Sequence, residues 1–434
     1  MISPSRSVYI SLNGPISAQF GKYALVRNAD GSPTRLGDTY TSMKNAIAGT
    51  EDNKLRYALI GDPAMRMPVY GYNVETTSIY GVDIHEGMEG LPTIEARSNP
   101  VVKGIITDAQ GNPATDFNGF VFLKLYDAEK VVETLGNGND GKVMIYNDRK
   151  TKLFDGAAKV ENGQWESTVY MPSEIENNFT TGRLTYYAVS DDGREANGST
   201  EKFHVYGFDV NAPEDNDGPE IISFYLNRDS FNNGDLTYKT PVVYASFSDD
   251  SGINISDAGI GHSLMLTLDG KTVYDDVTNF YSPDLFDSRM GSITYQMPEI
   301  EPGKHSLTLS VWDCANNSSY ATIEFNVAAA KDPDIFDIET SFNADSSGVE
   351  FIINSDRPLA ALACRFEVFD INGVRIWHTM SEDRTDSSSA IRLNWDYTTA
   401  AGNRVNKGIY VCRATVETPE GKTAYKSKKI VISH

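Results

Sequence analysis

The residue types best suited to covalent chemistry are scarce in this sequence. It has three cysteines, Cys314, Cys364 and Cys412, and six histidines. A cysteine peptidase needs a thiolate within hydrogen-bond reach of an imidazole base. Cys314 ends a strand in the run Trp312-Asp313-Cys314-Ala315-Asn316-Asn317 and could present an exposed thiol. We expect it instead to be a structural residue beside a turn.

The other motif searches also predict no catalytic residue and no cofactor-binding residue. The histidines are scattered over positions 85, 204, 262, 305, 378 and 434, without the clustering of a zinc site. His85-Glu86-Gly87-Met88-Glu89 lacks the second histidine of a zincin, and Gly261-His262-Ser263 is not a nucleophile elbow. The glycine-rich segment 136–141 favours a hairpin loop over a phosphate cradle.

Two groups of acidic residues leave calcium open as a cofactor. Hard carboxylate and amide oxygens are the ligands that Ca²⁺ prefers. Neither group completes the twelve-residue calcium loop, and Asp and Asn also form turns without any ion. The two groups are Asp215 with Asp217, and Asp249 and Asp250 with Asn254 and Asp257.

Cys364 and Cys412 share strand parity with apolar neighbours, so both are predicted to face a core as small apolar residues. A disulfide between them stays open, because bridging needs close Cα atoms.

Length and charge restrict the class of protein. The chain has 434 residues, which suggests about three domains. Its net charge of −22 argues against a general nucleic-acid binder, and no apolar run is long enough for a transmembrane helix. Residues 1–72 and 418–434 each carry +3, which leaves −28 on the rest and marks a boundary near residue 72.

The first 72 residues have an α/β pattern. A strand is predicted over Ser7–Leu12, and Asn13-Gly14-Pro15 then resembles a helix start. Leu36, Tyr40, Met43 and Ile47 line one face of a second helix that Gly49 would end, and a strand follows over Leu55–Ile60. This segment is small for a domain that would be stable by itself.

After residue 72, alternating strands separated by turns predict immunoglobulin-like β-sandwiches. Polar or Pro-bearing linkers at 211–219 and 328–333 divide the chain into sandwiches at 73–210, 211–329 and 330–434. Asn372-Gly373 favours a type I′ hairpin, and a final strand covers 429–432. The clearest strands are Phe120–Tyr126 and those marked by Leu184, Tyr186 and Ala188, by Leu264, Leu266 and Leu268, by Leu307, Leu309 and Val311, and by Ile323, Phe325 and Val327.

Several runs, in order, resemble a known family. The C-terminal run from Phe369 to Tyr410 resembles the sorting domain of proteins exported by the type IX secretion system of Bacteroidetes. Residues 35–38, 44–46 and especially 55–67 resemble the end of a gingipain-type, caspase-like cysteine peptidase domain. Seven runs between these segments are similar to the type IX secretion system sortase, and the likeness covers essentially the whole chain. They are 104–108, 116–119, 249–254, 259–262, 268–270, 311–313 and 316–319.

This resemblance implies a mainly β chain of three immunoglobulin-like sandwiches, preceded by an α/β remnant (1–72) of the peptidase domain. The family's Cys and His would lie before residue 1, so no catalytic residue is carried over and the chain alone is expected to be inactive. The family's sortase cleaves sorting domains from cargo at the cell surface. We expect these modules to position the peptidase and dock it on an outer-membrane β-barrel partner, with protein substrates bound by the missing domain. No signal peptide is visible, so we expect a fragment or the rear part of a longer, exported protein.

A rival interpretation is a non-catalytic surface adhesin or carbohydrate-binding array, whose exposed Tyr and Trp residues would stack on sugars. A cytoplasmic enzyme would need a polar constellation that the sequence does not offer. The sequence leaves open whether residues 1–72 fold alone and which domain docks the partner.

Overall fold

A computed structural model describes residues 2–8, 10–28, 32–47, 52–67, 70–138, 141–256, 262–329, 331–343, 347–382 and 384–433. It is mainly β, as predicted, with an α/β segment before the sheets. No helix in this part of the chain is long and apolar enough to cross a membrane.

Within its described residues, the N-terminal segment has one two-stranded sheet and three helices, in the order β1 (Ile2–Pro4), α1 (Ile10–Ala24), α2 (Leu36–Ala46), α3 (Asp52–Arg56) and β2 (Tyr57–Leu59). The second predicted helix is confirmed as α2, with Met43 buried. Gly49 lies outside the described residues.

The strand predicted over Ser7–Leu12 is wrong, because Ile10 already begins α1 and Pro15 lies inside that helix rather than at its start. The antiparallel partner of β2 is β1 instead. The second predicted strand is shorter than expected, since Leu55 and Arg56 end α3.

The first sandwich is built from one long sheet that bends until its ends meet. The sheet order is β14-β13-β7-β10-β11-β6-β3-β4, and β14 also pairs with β3 in parallel. Gly198 on β14 makes this closure possible, since a Cβ there would lie 1.9 Å from the Val74 carbonyl oxygen. Smaller sheets, β12-β15-β5 and β8-β9, flank it. The strands are β3 (Tyr72–Ile79), β4 (Val82–Asp83), β5 (Thr93–Ala96), β6 (Val101–Asp108), β7 (Gly119–Tyr126), β8 (Lys130–Glu133), β9 (Ile145–Asp148), β10 (Lys152–Glu161), β11 (Gln164–Thr168), β12 (Thr180–Thr181), β13 (Arg183–Ser190), β14 (Glu195–Thr200) and β15 (His204–Phe208).

The second sandwich packs a four-stranded sheet, β16-β18-β22-β21, on a five-stranded sheet, β17-β24-β23-β19-β20. Its alternating apolar residues form one core, including Leu266, Leu309 and Phe325. The strands are β16 (Glu220–Leu226), β17 (Leu236–Thr237), β18 (Val242–Ser248), β19 (Met265–Leu268), β20 (Thr272–Tyr274), β21 (Tyr281–Pro283), β22 (Met290–Gln296), β23 (Gly303–Trp312) and β24 (Ser318–Val327), with a 3₁₀ helix at Asp275–Phe280.

The third sandwich packs the sheet β25-β26-β29 on the sheet β28-β27-β30-β31. Its core gathers buried aromatics such as Phe351, Phe366 and Trp395. The three hydrophobic cores fall within 73–210, 211–329 and 330–434. The strands are β25 (Ile335–Phe342), β26 (Val349–Ser355), β27 (Ala363–Phe369), β28 (Arg375–Ser381), β29 (Ala390–Trp395), β30 (Gly408–Glu417) and β31 (Thr423–Ile432).

The two core cysteines of this sandwich are buried and free. Cys412 pairs with Val368, and Cys364 pairs with Val416, so a four-residue offset separates the two thiols on neighbouring strands. The disulfide that the sequence left open is therefore not formed.

The predicted type I′ turn at Asn372-Gly373 is wrong, although the hairpin β27–β28 is present. A type I′ turn needs positive φ at both central residues, and only Gly373 has it, at 80°. The Asp370 carboxylate accepts the backbone N–H groups of Asn372 and Val374 at 2.9 and 2.8 Å. This side chain fixes a wider turn, in which Gly373 N–H donates to the Asp370 carbonyl.

Candidate functional site

Two aspartate turns lie side by side at one end of the second sandwich. β18 ends at Ser248, and Asp249 then accepts the Ser251 N–H at 2.7 Å. β23 ends at Trp312, and Asp313 accepts the N–H groups of Ala315 and Asn317, both at 2.8 Å. Aspartate favours such positions because its short carboxylate can bond to the backbone two residues on.

The two turns join the second sandwich to the first, and we call this contact the first joint. Cys314 N–H donates to the Gly252 carbonyl, while the Cys314 carbonyl accepts Ser173 N–H at 3.0 Å and Ser173 Oγ–H at 2.8 Å. Gly252 has φ of +78°, and a Cβ there would lie 2.5 Å from the Tyr170 side chain. Only glycine fits both its backbone conformation and this close approach.

Three carboxylates meet at the first joint. One ligand oxygen each from Asp215, Asp249 and Asp313 lies within 4.8 Å of the others. Asp313 is fully buried, and the other two are half-buried. Asn317 Nδ2–H donates to Asp313 Oδ2 at 2.8 Å and to the Asp215 carbonyl at 3.2 Å, and Ser251 Oγ–H donates to Asp215. We call these three residues the acidic cluster.

Two carboxylates of the acidic cluster, those of Asp249 and Asp313, have a raised pKa. Burial, followed by the negative charges of Asp313 and Asp215, raises the pKa of Asp249 to about 7. Burial also raises the pKa of Asp313, and the charge of Asp215 adds to this, although hydrogen bonds from Asn317 act in the opposite sense. Like charges this close are tolerated when a proton or a cation is shared between them.

The donor set is one that a hard cation such as Ca²⁺ could use, with carboxylates from separate turns. The structure joins Asp215 and Asp249 from the two groups that the sequence singled out, but adds Asp313. Asp250 turns away to pair with Arg289 at 2.9 Å, and the Asn254 side chain accepts Ser256 N–H. Asp217 bonds through its backbone N–H to Asp215, and Asp257 lies outside the described residues. Calcium binding stays a prediction.

The sequence did not lead us to predict Asp313 as part of this cluster, because the run Trp312–Asn317 was considered only for a reactive thiol at Cys314. The usable signal was the position of Asp313 directly after a strand, with Asn316-Asn317 three residues further on. Asp249 has the same position directly after the strand that ends at Ser248.

Cys314 is a structural residue, as expected. It is 2% exposed, burial raises the pKa of its thiol, and its Sγ donates to the Tyr170 carbonyl at 3.7 Å. Among the described residues, no histidine hydrogen-bonds to it. The described histidines lie at separate places: His85 beside the Glu86 carbonyl, His204 stacked on Phe179, His262 against Glu174 and Trp312, His305 between Asp269 and the Glu301 carbonyl, and His378 exposed on β28. His434 lies outside the described residues.

A second joint connects the second and third sandwiches. Arg384 Nη2–H donates to Gln296 Oε1 at 3.1 Å, and Tyr244 O–H donates to the Ser387 carbonyl. The guanidinium of Arg357, on the third sandwich, lies 4.1 Å from the ring centroid of Tyr238, on the second. The three sandwiches are thus connected by specific polar and stacking contacts at both joints.

The chain is similar to PorU from Porphyromonas gingivalis. The likeness to the crystal structure of dimeric latent PorU has 28% sequence identity and a TM-score of 0.42, and it covers 95% of this chain. It covers 39% of the PorU chain, so this sequence spans well under half of PorU's length. No family model matches the chain, and no curated protein matches it.

Two other solved structures are similar to the chain at lower values. A tetra-tandem repeat from the extending region of a large adhesion protein has 11% identity and a TM-score of 0.20, covering 79% of this chain and 74% of its own. A 1.5-MDa bacterial ice-binding adhesin has 12% identity and a TM-score of 0.18, covering 78% and 93%. At these values the likenesses to the two adhesins carry no functional argument.

Proposed function

We propose that this chain is the non-catalytic C-terminal part of a PorU-like, gingipain-type cysteine endopeptidase of the type IX secretion system. The whole protein would act at the cell surface as a sortase that removes sorting domains from exported cargo. The modules described here would hold the peptidase domain and dock it on an outer-membrane β-barrel partner.

The observation that carries this proposal is where the sortase-like residues lie. The runs 249–254, 311–313 and 316–319, which resemble the sortase in sequence, lie in the two turns that form the first joint. If this chain and the sortase share residues because those residues hold the modules in place, such residues are expected at a joint. The joint sets the angle between two modules. The 28% identity along 95% of the chain supports the same assignment.

The chemistry of the described residues agrees with a supporting role. Its three thiols are buried, and burial raises the pKa of each of them, which keeps them in the unreactive thiol form. A peptidase nucleophile would have to come from the domain that the resemblance puts before residue 1.

The DNA upstream of the first codon tests the proposal. We expect an open reading frame in the same phase that encodes a His-Gly pair and a cysteine after a predicted strand. An unrelated gene, or a functional ribosome-binding site directly before Met1, would contradict it.

The adhesin alternative has lost part of its basis. All four tryptophans are at least half-buried, because they pack in or beside the cores, so they offer no exposed sugar platform. Phe179 and Tyr206 are exposed beside His204. The ring centroid of Phe179 lies 4.3 Å from that of His204 and 5.3 Å from that of Tyr206. Selective binding of residues 73–329 on a glycan array, abolished by Phe179→Ala, would favour the adhesin.

A further inference from the structure

A groove opens at the first joint, between the first and second sandwiches. It has a cavity volume of about 960 Å³, which is at the upper end of the range for small-molecule sites. The segment 285–288 of the second sandwich lines one side, and the other side includes Lys103 and Ile105 of β6 with Gln164 and Glu166 of β11. Ile105 pairs with Gln164 and Lys103 pairs with Glu166, so these four side chains lie side by side on one face of the sheet.

Both sides of the groove are held in fixed positions. The Asp284 carboxylate accepts the N–H groups of Phe286 and Asp287 at 2.8 and 3.1 Å, which fixes the turn of the second sandwich. Ser288 Oγ–H then donates to the carbonyl of Thr168, at the end of β11, at 3.1 Å. The groove is therefore formed before any ligand arrives, which lowers the cost of binding.

An exposed aromatic ring stands in this groove. Phe286 is 78% exposed, and its ring centroid lies 5.5 Å from that of Phe120 in an edge-to-face contact. The face of an aromatic ring carries partial negative charge, and the C–H groups on one side of a pyranose ring are weakly positive. The turn thus presents Phe286 as a surface on which a sugar ring can stack.

The polar side chains of the groove match sugar hydroxyl groups. Asn162 and Gln164 are exposed, and no described residue hydrogen-bonds to their side-chain amides. Each amide offers both donors and an acceptor, and each sugar hydroxyl is likewise a donor and an acceptor. A peptide strand would need an open strand edge, whereas β6 is already paired on both sides, with β3 and β11.

The charges of the groove disfavour an anion. Every charged side chain that lines it has an oppositely charged partner, and the carboxylates of Asp250 and Asp284 lie beside the same turn without lining the groove. An uncharged ligand therefore suits the groove better than an acidic one. The pairs are Lys103–Glu166, Lys159–Glu161 and Arg289–Asp287, with N···O distances of 2.6, 2.5 and 2.8 Å.

We propose that this groove binds a neutral oligosaccharide, with one sugar ring on Phe286 and hydroxyl groups at Asn162 and Gln164. Its two sides come from different sandwiches, so an occupant would also bridge the first joint. This inference does not depend on the proposed sortase role, and the failure of either leaves the other standing.

A glycan array probed with the full chain tests the proposal. The array carries neutral glucans, mannans and chitooligosaccharides, together with sialylated, sulfated and uronic acid glycans. We expect at least one neutral oligosaccharide to be retained, and its acidic derivatives to give signals at least tenfold weaker. No retained neutral glycan, or retention of acidic glycans alone, would overturn the proposal.

Two phenylalanine variants locate the site. Phe286→Ala removes the stacking surface and should weaken the signal of the retained glycan at least fivefold, with an unchanged melting temperature because Phe286 is exposed. Phe342→Ala is the matched control, since Phe342 is 49% exposed on β25 of the third sandwich. An unchanged signal in Phe286→Ala, or a loss that only Phe179→Ala produces, would contradict the assignment.

Discussion

At Asp249, burial and two neighbouring carboxylates oppose ionisation of one side chain. Its pKa is raised to about 7, so the folded chain binds a proton that the unfolded chain releases near pH 4. The stability linked to this proton is fully present below about pH 4 and is lost as the pH rises through about 7.

We expect Asp249→Asn to remove this pH dependence, because the amide cannot ionise. In a chelating buffer the variant should be more stable than the parent at pH 8, by about 1 kcal/mol after allowance for its partial exposure, and close to it at pH 4.5. Urea unfolding at both pH values measures this, and Asp250→Asn controls for the loss of a charge from the same turn. An equal difference at both pH values would contradict the account of Asp249.

The calcium prediction belongs to the same residues. If the acidic cluster holds Ca²⁺, isothermal titration at pH 7.5 should give saturable heat with a dissociation constant of about 10⁻⁴ to 10⁻³ M, as in extracellular modules. Asp215→Asn should abolish that heat, since its carboxylate is a ligand candidate outside the two turns. A chain that gives no heat on Ca²⁺ addition would end the calcium prediction.

At the scale of elements, the first joint depends on a glycine that closes a turn and touches another module. Gly252→Ala should destabilise the chain by about 2–4 kcal/mol, because it combines positive φ with a clash against Tyr170. Gly270→Ala is the control, since its φ is +65° and nothing lies within 4 Å of a Cβ there. It should cost only about 1 kcal/mol.

Chemical denaturation of the two variants separates backbone strain from the clash. If both substitutions cost the same, the close approach of the sandwiches at Tyr170 would not contribute to stability.

The sequence was informative wherever a pattern is local. Strict alternation along Leu307, Leu309 and Val311 predicted a strand with one buried face, and the structure has it as β23. The type I′ turn predicted at Asn372-Gly373 was wrong because the Asp370 carboxylate binds nearby backbone N–H groups, and these bonds outweigh the backbone preference of the dipeptide. The strand predicted at Ser7–Leu12 failed because a short apolar run fits a helix start as well as a strand.

The acidic cluster could be anticipated only in part. Asp215 and Asp249 were singled out as oxygen donors, but their meeting with Asp313 depends on how two distant turns and a linker fold together. Nothing in a local pattern specifies that distance. The same limit applies to the groove at the first joint, whose two sides come from different sandwiches.

At the scale of the whole molecule, stability should be uneven. In the described chain, the three large hydrophobic clusters all lie in the sandwiches. Among the residues of the preceding segment whose burial the structure describes, the buried apolar ones are Ile16, Ala24 and Met43, and its sheet has two strands of three residues each. A two-stranded sheet is marginal by itself, and its outer edges are open.

We therefore expect limited proteolysis to remove residues before 72 while the sandwiches stay intact. Mass spectrometry of the time course measures where the first cuts fall. A chain that resists uniformly, or is cut first between sandwiches, would contradict this ranking.

The central claim is that these sandwiches serve a PorU-like sortase. The most direct measurement is mass spectrometry of surface cargo in the source bacterium after in-frame deletion of codons 73–434. We predict that cargo proteins keep their C-terminal sorting domains, because the peptidase is no longer held at its partner. Normal removal of sorting domains in that strain would contradict the account.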